Sequence, residues 1–358
     1  MKKALLSILV LAITTAGCSL LPDAAPQSQS MEITDATGHT VSLPERPERI
    51  AIAGRATVMV QDAVYLFEEA QDRVVALESR NQSAFAFLPV VDPGIYDKAI
   101  FEKNVGPEQI AAAKPDLVIL KSFMAESIGE PLEQLNIPVV YLDLETPEAF
   151  YQDVAVLGEV FGVPERAEEI ISYYQTRVSA VESMVSEAEE EPSVLMLQYK
   201  ADGGEVAFSV PPASWLQTRM VELAGGNPIW AAMEGGQGWT VVNLEQIAAW
   251  NPDQIYLIDY AGAASEITAD LKSSPLWMDL EAVQNDRLYA FGFDFYSWDQ
   301  PDTRWILGLQ WLATRVHPDL TAELDILAEV SSFYQTLYFM DQDRIETEVL
   351  PILTGDLP

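Results

Sequence analysis

The chain holds only 20 Lys and Arg against 55 Asp and Glu, so a cation that falls in a loop at a strand end becomes a candidate for a specific task. Arg55 lies in Gly54-Arg55-Ala56-Thr57, Arg80 in Glu78-Ser79-Arg80-Asn81-Gln82, Lys121 in front of Ser122, and Lys200 after Tyr199. Each follows an apolar run short enough to be a buried strand. Arg304 is placed in the opening turn of an apolar helical pattern after Pro301, where free backbone N–H groups and the helix dipole also attract an anion. Several such donors converging would suit an oxyanion. Trp239, Tyr260, Tyr296 and Trp298 stand at comparable places and offer faces for a flat or bulky ligand, a Tyr phenolate being one possible ligand of haem iron. The competing readings are a surface ion pair of Arg304 with Asp299 or Asp302, and core packing for the aromatics.

These residues are positioned by a unit used twice. Val105–Leu120 reads VGPEQIAAAKPDLVIL and Val242–Leu257, 137 positions later, reads VNLEQIAAWNPDQIYL, with nine of sixteen places identical. That distance is far longer than a solenoid repeat and indicates two similar lobes. Each copy sets Glu-Gln at a helix start, stops the helix at Pro-Asp, and continues into an apolar strand.

Met31–Pro44 alternates around Asp35-Ala36-Thr37-Gly38 as a hairpin. Strands are expected at Ile50–Ala53, Val74–Leu77, Leu117–Leu120 and Val139–Leu142. Helices are expected near Val58–Glu69, Glu108–Ala113, Ser127–Leu135 and Pro147–Phe161. Continuous apolar strands between helices indicate a parallel sheet covered on both faces. From Pro164 to about Glu190 the stripe Ala167, Ile170, Ile171, Tyr174, Val178, Val181, Val185 predicts one long helix without glycine. The second lobe offers strands at Val194–Gln198, Ile255–Ile258 and Leu288–Phe291, and helices at Ser214–Leu223, Leu244–Trp250, Asp302–Arg315 and Ala322 to about Phe339. The fold class is therefore α/β, two βα lobes with parallel central sheets joined by one long rigid helix. The expected units are 31–163, 164–190 and 191–358.

The N-terminus reads Met-Lys-Lys, an uncharged mostly apolar run from Ala4 to Gly17, then Cys18, the only cysteine. This predicts an export signal over 1–17, too short to span a bilayer, and a flexible tether over 18–30. One cysteine allows no internal disulfide. The net charge of −35 argues against nucleic acid as a partner. Only His39 and His317 occur, too few for the sites that hold bare zinc or manganese. There is no P-loop, Gly-x-Ser-x-Gly or HExxH. Paired carboxylates leave a secreted carboxylate-dependent hydrolase as the rival reading, separable by turnover on a sugar.

Together these features resemble the substrate-binding lipoproteins of ABC importers for iron–siderophores, haem, cobalamin and some oxyanions. The resemblance rests on the hairpin ITDATGHTVSLPERPERI, the paired EQIAA…PD motifs, AGGNP at Ala224–Pro228 and PDTRWILGLQWLA at Pro301–Ala313. It implies two lobes on one long helix, no enzyme activity, no resident cofactor and a monomer outside the cytoplasm. Thr15-Ala16-Gly17-Cys18 resembles a lipobox, with Thr in place of the usual Leu, which implies a lipid on Cys18. The family's motif glutamates dock on permease arginines and map onto Glu108 and Glu245, where helix-dipole pairing alone is the blander role. The cargo implied is an iron complex (siderophore or haem) or a corrinoid, with molybdate or tungstate as the alternative. The resemblance also puts an arginine of the last motif near the ligand. The stiff helix implies modest lobe movement on binding.

Overall fold

The structure is a computed structural model that describes residues 30–79, 86–203, 205–233, 236 and 238–357. The expected signal, Cys18, the expected tether up to residue 29 and Arg80 lie outside the described residues. Among the described residues no helix is long and apolar enough to cross a membrane.

A small antiparallel hairpin, β1 (Met31–Thr34) and β2 (Thr40–Leu43), opens the chain. The first sheet follows as β3 (Ile50–Ile52), β4 (Val74–Glu78), β5 (Ala99–Phe101), β6 (Leu117–Lys121) and β7 (Val139–Leu142), in the order β5-β4-β3-β6-β7 with every pairing parallel. β3, β6 and β7 are buried at every residue, as expected for strands covered on both faces. The second sheet comprises β8 (Ser193–Asp202), β9 (Glu205–Val210), β10 (Asn227–Pro228), β11 (Thr240–Val242), β12 (Gln254–Ile258) and β13 (Leu288–Ala290). Its path is β11-β9-β8-β12-β13, with β10 beside β8.

The repeat occupies the same place in both sheets. β6 lies between β3 and β7, β12 lies between β8 and β13, and all four pairings are parallel. The second sheet departs from the all-parallel expectation at β9 and β11, which pair antiparallel. β8 runs on to Asp202 and turns back at Gly203, whose φ of +60° suits glycine.

The helix Pro147–Phe161 starts at Thr146, whose side chain accepts from the Ala149 N–H at 3.1 Å, and ends at Gly162 in the left-handed region. The long helix runs Pro164–Val185 and stops short of Glu190. The acidic stretch Glu187–Glu191 would place like charges against the negative end of the helix dipole. This helix is clamped on both sides: Tyr174 packs on Phe150 at 4.5 Å and on Trp305 at 5.3 Å between ring centroids. Arg166 in its first turns donates to the carbonyls of Leu66, Thr336 and Leu337. Two remote segments therefore meet at one guanidinium. The expected helix Asp302–Arg315 forms as Trp305–Val316, and the last long helix is Ile326–Tyr338.

Candidate functional site

The loops that leave the two sheets at their carboxyl ends meet. Phe87, downstream of β4, packs on Phe295, downstream of β13, with ring centroids 5.0 Å apart. The boundary between the sheets is thus where a crevice of this fold class takes its ligand.

On the first-sheet side a recess of about 300 Å³ is lined by Arg55, Asn104, Phe123 and Ser127 among others. The Glu78 carboxylate accepts the Gly54 N–H at 2.7 Å and the Asn104 N–H at 2.8 Å, so the end of β4 fixes the loops leaving β3 and β5. Arg55 is exposed and lies 5.8 Å from the ring centre of Phe123, itself 53% exposed. Lys121 is enclosed: its Nζ donates to the Asp143 carbonyl and to Glu145 Oε1, 2.6 Å away. Its charge is therefore neutralised within the loop after β7.

On the second-sheet side Trp239 is partly exposed and meets Trp215 and Tyr260 edge-on, at 6.0 Å and 6.3 Å. The Tyr260 hydroxyl donates to Asp299 at 3.0 Å. Asp299 also accepts from Gln217, Ser297 and Gln300. Burial pushes its carboxyl up, and these donors pull it the other way. Lys200 is exposed on β8.

Arg304, Tyr296 and Trp298, expected along the cleft, are buried. Tyr296 reaches Gln300 at 3.4 Å, and Trp298 Nε1 donates to Asp294 at 3.0 Å. Gly308 permits this packing, since a Cβ there would lie 2.3 Å from the Trp298 carbonyl oxygen. Arg304 has no exposed surface and is held by three carboxylates: Asp62 at 2.6 Å, Asp294 at 2.6 Å and Asp302 at 2.8 Å. Of its two expected pairing partners it takes Asp302, and not Asp299. In place of an external anion the protein supplies its own. Burial pushes the Asp302 carboxyl well up, and that of Asp62 up, against the pull of the Arg304 charge.

Sequence reasoning missed Asp62, Asp294, Phe87 and Trp215. Asp62 had a usable signal, being the lone acid in the otherwise uncharged helix Thr57–Val64.

Glu108 and Glu245 occupy the same position, second in the helices Pro107–Ala112 and Leu244–Trp250. Both are exposed, and neither pairs with a cation among the described residues. His39 sits 3.7 Å from Asp35 and His317 contacts the Gly225 carbonyl at 2.9 Å. Among the described residues no group of three or more His, Cys, Asp or Glu is arranged to hold a metal ion.

Residues 56–294 match the family described as periplasmic binding protein. The molybdate-binding protein MolA of Haemophilus influenzae is 22% identical over 257 residues, covering 66% of this chain and 70% of that protein. The iron-uptake system-binding protein of Bacillus subtilis is 23% identical over 313 residues, 81% of this chain and 90% of the relative. Among solved structures, a periplasmic solute binding protein from Veillonella parvula superposes with a TM-score of 0.72 at 26% identity, over 90% of this chain and 98% of that one. With two βα lobes, a crevice at their carboxyl ends and a family match across most of its length, the chain belongs to the periplasmic binding protein family, solute-binding proteins of the ABC-transporter type.

Proposed function

We propose that the protein is the extracytoplasmic receptor of an ABC importer that captures an iron complex, a siderophore or haem, or a corrinoid, and hands it to the permease. The observation that carries the choice of cargo is how the cleft residues divide. The aromatic group Trp215, Trp239 and Tyr260 keeps exposed ring surface, whereas Arg304 and Lys121 are already neutralised by the protein. A compact oxyanion needs several free convergent donors; a large chelate needs ring faces and one or two cations, for which Arg55 and Lys200 are exposed. The similarity to a molybdate-binding protein favours the second reading, an oxyanion receptor on the same fold.

In this reading 31–163 and 191–358 act as the two lobes on the helix 164–190, and the protein works as a monomer held to the membrane by a lipid on Cys18. Glu108 and Glu245 meet two equivalent basic sites on a dimeric permease. Their matched helix positions and exposure support this role.

The test is a thermal-shift titration of the purified protein with ferric siderophores, haem, cobalamin, molybdate and tungstate. Stabilisation by a chelate that is lost in Trp239→Ala supports the proposal. Stabilisation by an oxyanion alone selects the second reading, and turnover of a sugar with no stabilisation by any of these solutes would return the protein to the hydrolases.

A further inference from the structure

Three carboxylates surround one guanidinium at the boundary between the lobes, and all four side chains are at least 98% buried. Fully ionised, the group would hold two uncompensated negative charges out of water. The carboxylates are not equivalent. Asp294 lies 2.6 Å from Arg304 Nε and accepts from Tyr334, Trp298 Nε1 and the Tyr296 N–H. Asp62 Oδ2 and Asp302 Oδ2 instead share one nitrogen, Arg304 Nη1, at 2.6 Å and 2.8 Å. Two carboxylates so placed repel unless a proton lies between them.

We propose that Asp62 and Asp302 share one proton, and that this carboxyl pair, gripped by Arg304, is a proton-dependent latch between the lobes. Asp62 comes from the helix after β3, and Asp302 and Arg304 come from the segment after β13. Among the described residues nothing else that faces the group replaces the proton. The groups around it are Asp294 and Tyr296 from the loop after β13, Tyr334 and Tyr338 from the helix Ile326–Tyr338, and Tyr174 from the connecting helix. Phe87 covers the guanidinium with its ring centre 4.3 Å away, and Arg304 Nη2 has no hydrogen-bond partner among the described residues. When the proton leaves to solvent, the net charge of the four groups goes from one negative to two, and Asp62 is pushed from Asp302 across the boundary. The latch rests on the capture reading only for its consequence, weaker retention of solute at alkaline pH.

The test contains no ligand, so it fails or succeeds apart from the proposed cargo. The infrared carbonyl stretch of protonated carboxyls is followed in the purified protein from about pH 5 to about pH 8, with Asp62→Asn, Asp302→Asn and Asp153→Asn as comparisons. One band absent from both Asp62→Asn and Asp302→Asn but present in Asp153→Asn supports the shared proton. No such band, or one indifferent to both variants, overturns it. Should either variant fail to fold, titration of the band in a protein carrying Asp153→Asn and Asp299→Asn, the other raised carboxyls, decides: a band that persists there and is lost as pH rises supports the proton, and no band there at any pH overturns it. Spin labels on cysteines replacing the exposed Tyr96 and Leu276 read the lobe separation. A distance distribution that lengthens or broadens as the band titrates supports the latch, and one that stays fixed overturns it.

Discussion

Arg304 and Asp62 are 242 positions apart in the chain and 2.6 Å apart in the fold, and the contact joins the segment after β13 to the first helix after β3. Because both ends are buried, this pair obeys the energetics of the interior. Removing one partner leaves charge stranded at low dielectric.

Arg304→Ala is therefore expected to destabilise the protein by about 3–5 kcal/mol at neutral pH, far more than loss of an exposed arginine. The loss should shrink toward acid pH, where the stranded carboxyls are neutral in the folded and the unfolded chain alike. Denaturant unfolding at about pH 3 and about pH 8 measures both effects. Equal losses at the two values would mean that solvent already compensates the carboxylates.

Asp153 gives a second pH dependence of known sign. Burial pushes its carboxyl up to about 7, although its Oδ2 accepts the Asp143 and Leu144 N–H groups at 2.7 Å and 2.8 Å. The unfolded chain titrates near 3.9, so the folded state binds this proton more tightly. The stabilisation is full below about pH 4 and is lost as pH rises through about 7. Asp153→Asn keeps the shape and removes the titration. It should gain on wild type, by the order of a few kcal/mol, as pH rises from about 5 to about 8. Melting temperatures of the two proteins across that range check the slope.

Glu108 and Glu245 test the other face. Each sits one residue past Pro107 or Leu244 at a helix start, where loss of the acid costs stability by no more than about 1 kcal/mol. Alanine at either position should leave solute binding intact and reduce import, and the double variant should abolish import. Uptake in cells, set beside solute affinity in vitro, separates the two effects. Import unaffected by the double variant would leave both residues with the dipole role alone.

The repeated unit was legible because its signals are local: a helix start, a Pro-Asp stop and an apolar strand recur at fixed spacing and fold alike in both lobes. β5, β9 and β11 were not. Ala99 and Ile100 of β5 are exposed, and Val206 of β9 and Val241 of β11 are 53% and 69% exposed; at or near a sheet edge their apolar runs of two or three residues are too short to read as strands. The buried cations failed for a different reason. Lys121 was read as open to ligand because a strand end borders the crevice, and Arg304 because a helix start attracts an anion, yet their partners Glu145 and Asp62 arrive from other segments of the chain. Spacing along a sequence does not report such encounters.

Trp239 offers the sharpest test of the cleft itself. Its ring is partly exposed and is held edge-on between Trp215, at 84°, and Tyr260, at 71°, so a flat chelate could rest on a surface that needs no reordering. Trp239→Ala should weaken chelate binding roughly tenfold, about 1.4 kcal/mol, in the range of an aromatic contact plus its lost area. Tyr260→Phe separates ring from hydroxyl: it keeps the face and removes the hydroxyl's bonds to Asp299 and Gln300. If the cleft uses ring faces, this variant binds as wild type does, and titration by intrinsic fluorescence shows the tenfold loss in Trp239→Ala alone. If the Tyr260 oxygen instead ligates haem iron, the phenylalanine variant loses haem and the haem absorption spectrum changes, while siderophore binding is retained.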